Sequence, residues 1–137
     1  MRKFFFDDVR DVPDESWDLA RNVQTAKDML SRKPYDVWSL DHDIGFQMLC
    51  EDCYEETIAA DGILTYEEVL KRGCTHMQSG TTLAKWAVEH VQSWPELIVI
   101  HSANTYGAER MHGILSRYTK VLIVPYNKEV LNSIRRS

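Results

Sequence analysis

Nowhere do the 137 residues hold an unbroken apolar run of the roughly 20 residues needed to cross a bilayer. The opening segment MRKFFFDDVR turns acidic before the apolar region of a secretion signal can develop, so the chain is expected in the cytoplasm, away from membranes. Positive charge is also short. Sixteen Lys and Arg against 21 Asp and Glu give a formal net charge of -5, which excludes a surface built to neutralise many phosphates and leaves room for one small phosphorylated ligand. Bulk DNA binding is therefore not expected. Cysteine is scarce and odd in number, and Cys50, Cys53 and Cys74 suit a reducing compartment better than a disulfide framework. No repeat, low-complexity tract or linker divides the chain. Its length fits one well-buried core, so a single domain over residues 1–137 is expected, interrupted only by a segment from about 46 to 78.

What is present is a rhythm of short apolar runs alternating with helical patterns. Lys3 to Phe6 reads as a buried strand that halts at Asp7-Asp8. Val12-Pro13-Asp14 breaks the chain, and Trp17 to Arg21 reads either as a short strand or as the start of a helix; a strand followed by a helix over Thr25 to Arg32 is favoured. Val37 to Leu40 is a further strand, ending in Asp41-His42-Asp43. Leu83, Trp86, Ala87, His90 and Val91 recur at helical spacing between Gly80 and Gln92, which makes His90 a core histidine. Glu96 to Ile100 reads as a strand ending at His101-Ser102-Ala103-Asn104. Met111, Ile114, Leu115 and Tyr118 mark a helix, Val121 to Val124 a strand, and Asn127 to Arg136 a closing helix. Such alternation implies a mainly parallel sheet with helices on both faces, whose ligands sit beyond the carboxyl ends of the strands.

Three strands end in residues able to do chemistry. Each cluster alone has a plainer explanation: an acidic pair after a strand is usually a solvated turn or a helix cap, and His-Ser a polar loop. Together they place carboxylates, which are hard oxygen ligands for Mg²⁺ or Mn²⁺, beside imidazoles able to exchange a proton near neutral pH. The alternative for His42 and His101 is structural, each satisfying a carboxylate or carbonyl at the sheet edge.

The order of these residues resembles a response-regulator receiver, a flavodoxin-like three-layer fold with a five-stranded parallel sheet in the order 2-1-3-4-5. Asp7-Asp8, Asp41, Ser102 and Pro125 match its acidic pair, aspartate, hydroxyl and proline. Its lysine is replaced by Val124, which weakens the likeness to ordinary phosphoryl signalling. The chain resembles more closely the cyclic-phosphate processing receiver domain family, through Phe5-Phe6-Asp7-Asp8-Val9-Arg10, Ser39-Leu40-Asp41-His42-Asp43-Ile44-Gly45 and His101-Ser102-Ala103-Asn104. This resemblance implies Asp8 and Asp41 as ligands of a divalent cation, helped by Asp7 or Asp43. His42 and His101 would contact phosphate and move protons, with Asp41 as an alternative nucleophile, while Ser102, Asn104 and Arg10 would bind phosphate oxygens.

In the interrupting segment, Cys50 and Cys53 face Cys74 and His76 across about 20 residues, the ligand pairs of a closed tetrahedral Zn²⁺ site. Zinc would supply folding energy that so short an insert lacks; the competing reading is three buried thiols. The expected function is a metal-dependent phosphoesterase acting on a cyclic phosphate of a nucleotide or RNA end. The alternative is a non-catalytic module that binds such a ligand or a protein partner. The sequence is silent on oligomeric state.

Overall fold

A computed structural model describes residues 1–42 and 79–134 of the chain. The insert, with Asp43 and the zinc ligands Cys50, Cys53, Cys74 and His76, lies outside the described residues. Five strands form one parallel sheet in the order β2-β1-β3-β4-β5: β1 (Lys3–Phe6), β2 (Trp17–Ala20), β3 (Val37–Leu40), β4 (Leu97–Ile100) and β5 (Lys120–Ile123). The ambiguous segment at Trp17 is thus a strand, which places Trp17 and Leu19 on the sheet face opposite Asp18 and Ala20. Helices follow as α1 (Val23–Arg32), α2 (Gly80–His90), α3 (Thr105–Leu115) and α4 (Lys128–Asn132). Among the described residues, no helix is long and apolar enough to cross a membrane.

Because side chains alternate across a strand, the register sorts the sheet into two faces. Phe4, Trp38, Ile98 and Val121 form one row of the first face, with Phe6, Ala20, Leu40 and Ile100 in the row above. Val23 and Ala26 of α1, Leu83, Ala84 and Ala87 of α2, and Ala108, Met111 and Leu115 of α3 all pack on this face. The second face carries Trp17 and Val37, then Phe5 and Val99, and among the described residues Leu131 of the five-residue α4 is its buried helical partner. Phe4, Phe5 and Phe6 are each fully buried, worth about 1.5–3 kcal/mol apiece, so β1 anchors both cores at once.

Three helices differ from the expected bounds: the closing helix, expected over Asn127 to Arg136, runs only over Lys128–Asn132, because the Asn127 side chain caps it by accepting from the Val130 N–H (3.0 Å) and Ser133 leaves it. Asn22 accepts a hydrogen bond from the Thr25 N–H through its side chain (2.7 Å), so α1 starts at Val23. In α2 the last turn ends at His90, which is exposed, with its ring stacked on Trp86 and Nδ1 2.9 Å from the Trp86 carbonyl. His90 is therefore a helix-end residue and not a core one.

Candidate functional site

The parity that buries Phe5 on the second face carries Asp7, two residues on, to the same face. Asp7 is fully buried, and four nitrogens lie within hydrogen-bond distance of its two oxygens. Its Oδ1 accepts from the Val9 and Arg10 backbone N–H groups (3.0 and 2.9 Å), a turn that folds the loop back over the strand end. Its Oδ2 accepts from Arg10 Nη1 (3.0 Å) and lies 2.9 Å from His101 Nε2. Burial alone would raise the pKa of this carboxyl, but the hydrogen bonds from His101, from the two backbone N–H groups and from Arg10 outweigh it and hold Asp7 far below the ordinary aspartate range.

Asp41 stands at the matching position after β3, with its backbone N–H tied to the Phe6 carbonyl (2.9 Å). It is 5% exposed, and its Oδ1 accepts from the His42 backbone N–H (2.8 Å). Burial, and then the negative charge of Asp7, push its pKa up; the same two causes raise that of half-buried Asp8. Asp7, Asp8 and Asp41 bring one carboxylate oxygen each within 4.8 Å of one another. Three hard oxygen donors at that separation suit a divalent cation of the Mg²⁺ or Mn²⁺ kind.

Arg10 supplies the compensating charge. Its Nη1 is 3.0 Å from Asp7 Oδ2 and 3.6 Å from Asp41 Oδ2, and the guanidinium lies 5.5 Å from the ring centroid of Tyr126. Arg21 in turn donates to the Asp7 and Arg10 carbonyls (3.4 and 2.8 Å), fixing the loop that carries both. Where receivers hold a lysine, Val124 packs its side chain into the second core and donates its N–H to the Ile100 carbonyl (3.0 Å). The cationic group beside the carboxylates thus comes from the loop after β1, not from the end of β5.

His101 does not reach outward as its motif suggested. It is 1% exposed, stacks on Phe5 (centroids 4.8 Å apart, planes 11° apart), and has Nδ1 2.7 Å from Ser39 Oγ while Nε2 faces Asp7. Both ring nitrogens are engaged inside the protein, so the expected phosphate contact is replaced by a contact to a carboxylate. His42 follows Asp41 and so takes the opposite side of the sheet. Its Nε2 is 3.0 Å from Thr81 Oγ1 in α2, its Nδ1 is 3.5 Å from Asn104 Nδ2, and its ring rests against Gly107 of α3. The two imidazoles belong to separate networks, because neighbouring positions at a strand end point to different faces.

Ser102 and Asn104 are also drawn into local structure. Asn104 Oδ1 caps α3 by accepting from the Gly107 N–H (2.9 Å), and Ser102 Oγ accepts from the Asn104 N–H (3.0 Å). The structure therefore brings together Asp7, Asp8, Asp41, Arg10 and His101, and sets His42, Ser102 and Asn104 around the start of α3. Sequence reasoning missed Ser39 and Tyr126. Ser39 was signalled by its place two residues before Asp41, on the same strand face; Tyr126 had no such signal.

The family model of the cyclic-phosphate processing receiver domain matches residues 2–117, a span that runs from β1 through α3 and includes every member of the carboxylate cluster. No curated protein and no solved structure matches the chain. With most of its length and its whole acidic cluster inside that match, the chain belongs to the cyclic-phosphate processing receiver domain family.

Proposed function

We propose that the protein is a metal-dependent phosphoesterase that opens a cyclic phosphate on a nucleotide or an RNA end. The observation that carries this reading is the convergence of Asp7, Asp8 and Asp41 within 4.8 Å beside the Arg10 guanidinium. A divalent cation on those oxygens would neutralise charge developing on the phosphoryl group and acidify a water molecule. Asp8 and Asp41 are the principal ligands, and Asp7, held ionised by the four nitrogens around it, completes the set. Arg10 orients the phosphate by pairing with its free oxygens.

Ring opening forms a bond from water oxygen to phosphorus and breaks one ester bond, whose oxygen must gain a proton. With Asp8 taken up as a ligand, the attacking water would lose its proton to solvent. The departing oxygen takes its proton from solvent, since His42 stands on the other side of the sheet against Thr81. His101 serves by placing Asp7. A second reading, a module that binds the cyclic phosphate without turning it over, draws support from the engagement of both His101 nitrogens. Cys50, Cys53, Cys74 and His76 are proposed to hold a structural zinc, to be checked by elemental analysis for about one zinc per chain.

The experiment is incubation of the purified protein with 2′,3′-cyclic and 3′,5′-cyclic nucleotides, with Mg²⁺, with Mn²⁺ or with a chelator, beside Asp41→Asn and His42→Ala. Cation-dependent release of a linear monoester, lost in Asp41→Asn, is expected. Tight binding with no turnover under any cation would establish the sequestering module instead.

A further inference from the structure

Ser39 has no part in the chemistry described so far, yet it is completely buried in the middle of β3, where apolar residues surround it. A hydroxyl in such a place costs stability unless it is hydrogen-bonded. Its Oγ lies 2.7 Å from Nδ1 of His101, whose Nε2 lies 2.9 Å from Asp7 Oδ2. The chain Ser39–His101–Asp7 crosses three strands, since β3 separates β1 from β4. Phe5 beneath the imidazole and Tyr126 at its edge (centroids 5.8 Å apart) fix the plane of the ring but do not choose between its nitrogens. That choice needs a polar partner.

We propose that Ser39 is a positioning residue for the carboxylate cluster: its hydroxyl donates to His101 Nδ1, which leaves the ring hydrogen on Nε2 and directs that N–H to Asp7. The inference rests on the reading of Asp7 as part of a cation site. Nε2 lies 2.9 Å from an Asp7 Oδ2 that already accepts from Arg10, and a ring with its hydrogen on Nδ1 would press a lone pair against that carboxylate. Which hydrogen a histidine keeps is set by the bond its other nitrogen makes, and partners one step behind a metal-binding carboxylate hold that ligand in place. Ser39 acts through His101 and touches neither substrate nor cation.

Two measurements on the full chain test this. Nitrogen NMR of the His101 ring is expected to show hydrogen on Nε2 alone in the wild-type protein, and a loss of that single form in Ser39→Ala. Titration with Mn²⁺ is expected to show about 10-fold weaker binding in Ser39→Ala, the size typical of losing such a support. Ser39→Cys, which keeps a hydrogen donor of similar size, is expected to recover part of both. Hydrogen on Nδ1 in the wild-type protein, or a Ser39→Ala variant with unchanged ring signals, overturns the assignment. A wild-type protein that binds no Mn²⁺ but shows the expected ring form counts against the cation site and leaves the Ser39 assignment standing.

Discussion

Gly107 stands against the imidazole of His42 so closely that a β-carbon there would fall 2.5 Å from the ring Cγ. Replacing a helical glycine with alanine normally adds about 1 kcal/mol of stability, whereas overpacking a tight site costs about 1–3 kcal/mol. The second effect is expected to win, because the atoms met are ring atoms already held by Thr81 and lying beside Asn104. Gly107→Ala should melt at a lower temperature than the wild type. A variant that melts higher would show that the His42 ring can shift to make room.

Divalent cations should stabilise the protein through the acidic cluster. At a concentration about 100 times Kd, a bound cation adds about 2.7 kcal/mol to folding. Thermal melts in Mg²⁺ or Mn²⁺ against chelator should therefore shift upward for the wild type and barely at all for Asp8→Asn. An equal shift in both proteins would place the cation elsewhere.

The three aspartates make opposite contributions as pH changes. Asp7, depressed below the ordinary value of about 3.9, adds stability that is fully present above that value and is lost as pH falls beneath it. Asp8 and Asp41 are raised, so the unfolded chain loses their protons first and their ionisation costs stability as pH climbs past about 3.9. In chelator, Asp41→Asn should thus melt above the wild type at pH 7, with the gap closing toward pH 4. A variant less stable than wild type at pH 7 would contradict this.

Much of the fold was legible because three of the strands are short apolar runs that stop at a polar residue: Phe6 gives way to Asp7, Leu40 to Asp41, Ile100 to His101. The convergence of Asp7, Asp8 and Asp41 followed from that punctuation alone. The division between the histidines did not, although part of it was available. His42 sits one residue past Asp41 and must face away from it, but the side on which His101 lies depends on how β4 is registered against β3, which no local pattern reveals. The roles of Asn104 and Ser102 were obscured differently. A residue suited to bind phosphate is equally suited to cap the helix that starts beside it, and here the cap takes their oxygens.

Arg10 should separate cation binding from substrate binding. As a fixed positive charge 3.0 Å from Asp7 and 3.6 Å from Asp41, it competes with a metal ion for the same oxygens. Arg10→Ala is expected to tighten Mn²⁺ binding by roughly fivefold, about 1 kcal/mol for a half-exposed ion pair, while raising KM for a cyclic phosphate. Weakened Mn²⁺ binding in the variant would mean that the guanidinium builds the cluster instead of competing for it.

The short α4 helix sets an order of failure on heating. The Trp17 indole N–H donates to Asn132, and the Asn132 amide donates to the Pro13 carbonyl (both 3.2 Å), so one short helical turn pins the loop that carries Asp7 and Asp8. Such a turn opens at a small fraction of the energy needed to separate five strands. Once it opens, water gains access to Phe5 and the stacked imidazole above it. Inactivation by heat should accordingly run ahead of the loss of strand structure, with the C-terminal turn as the fuse.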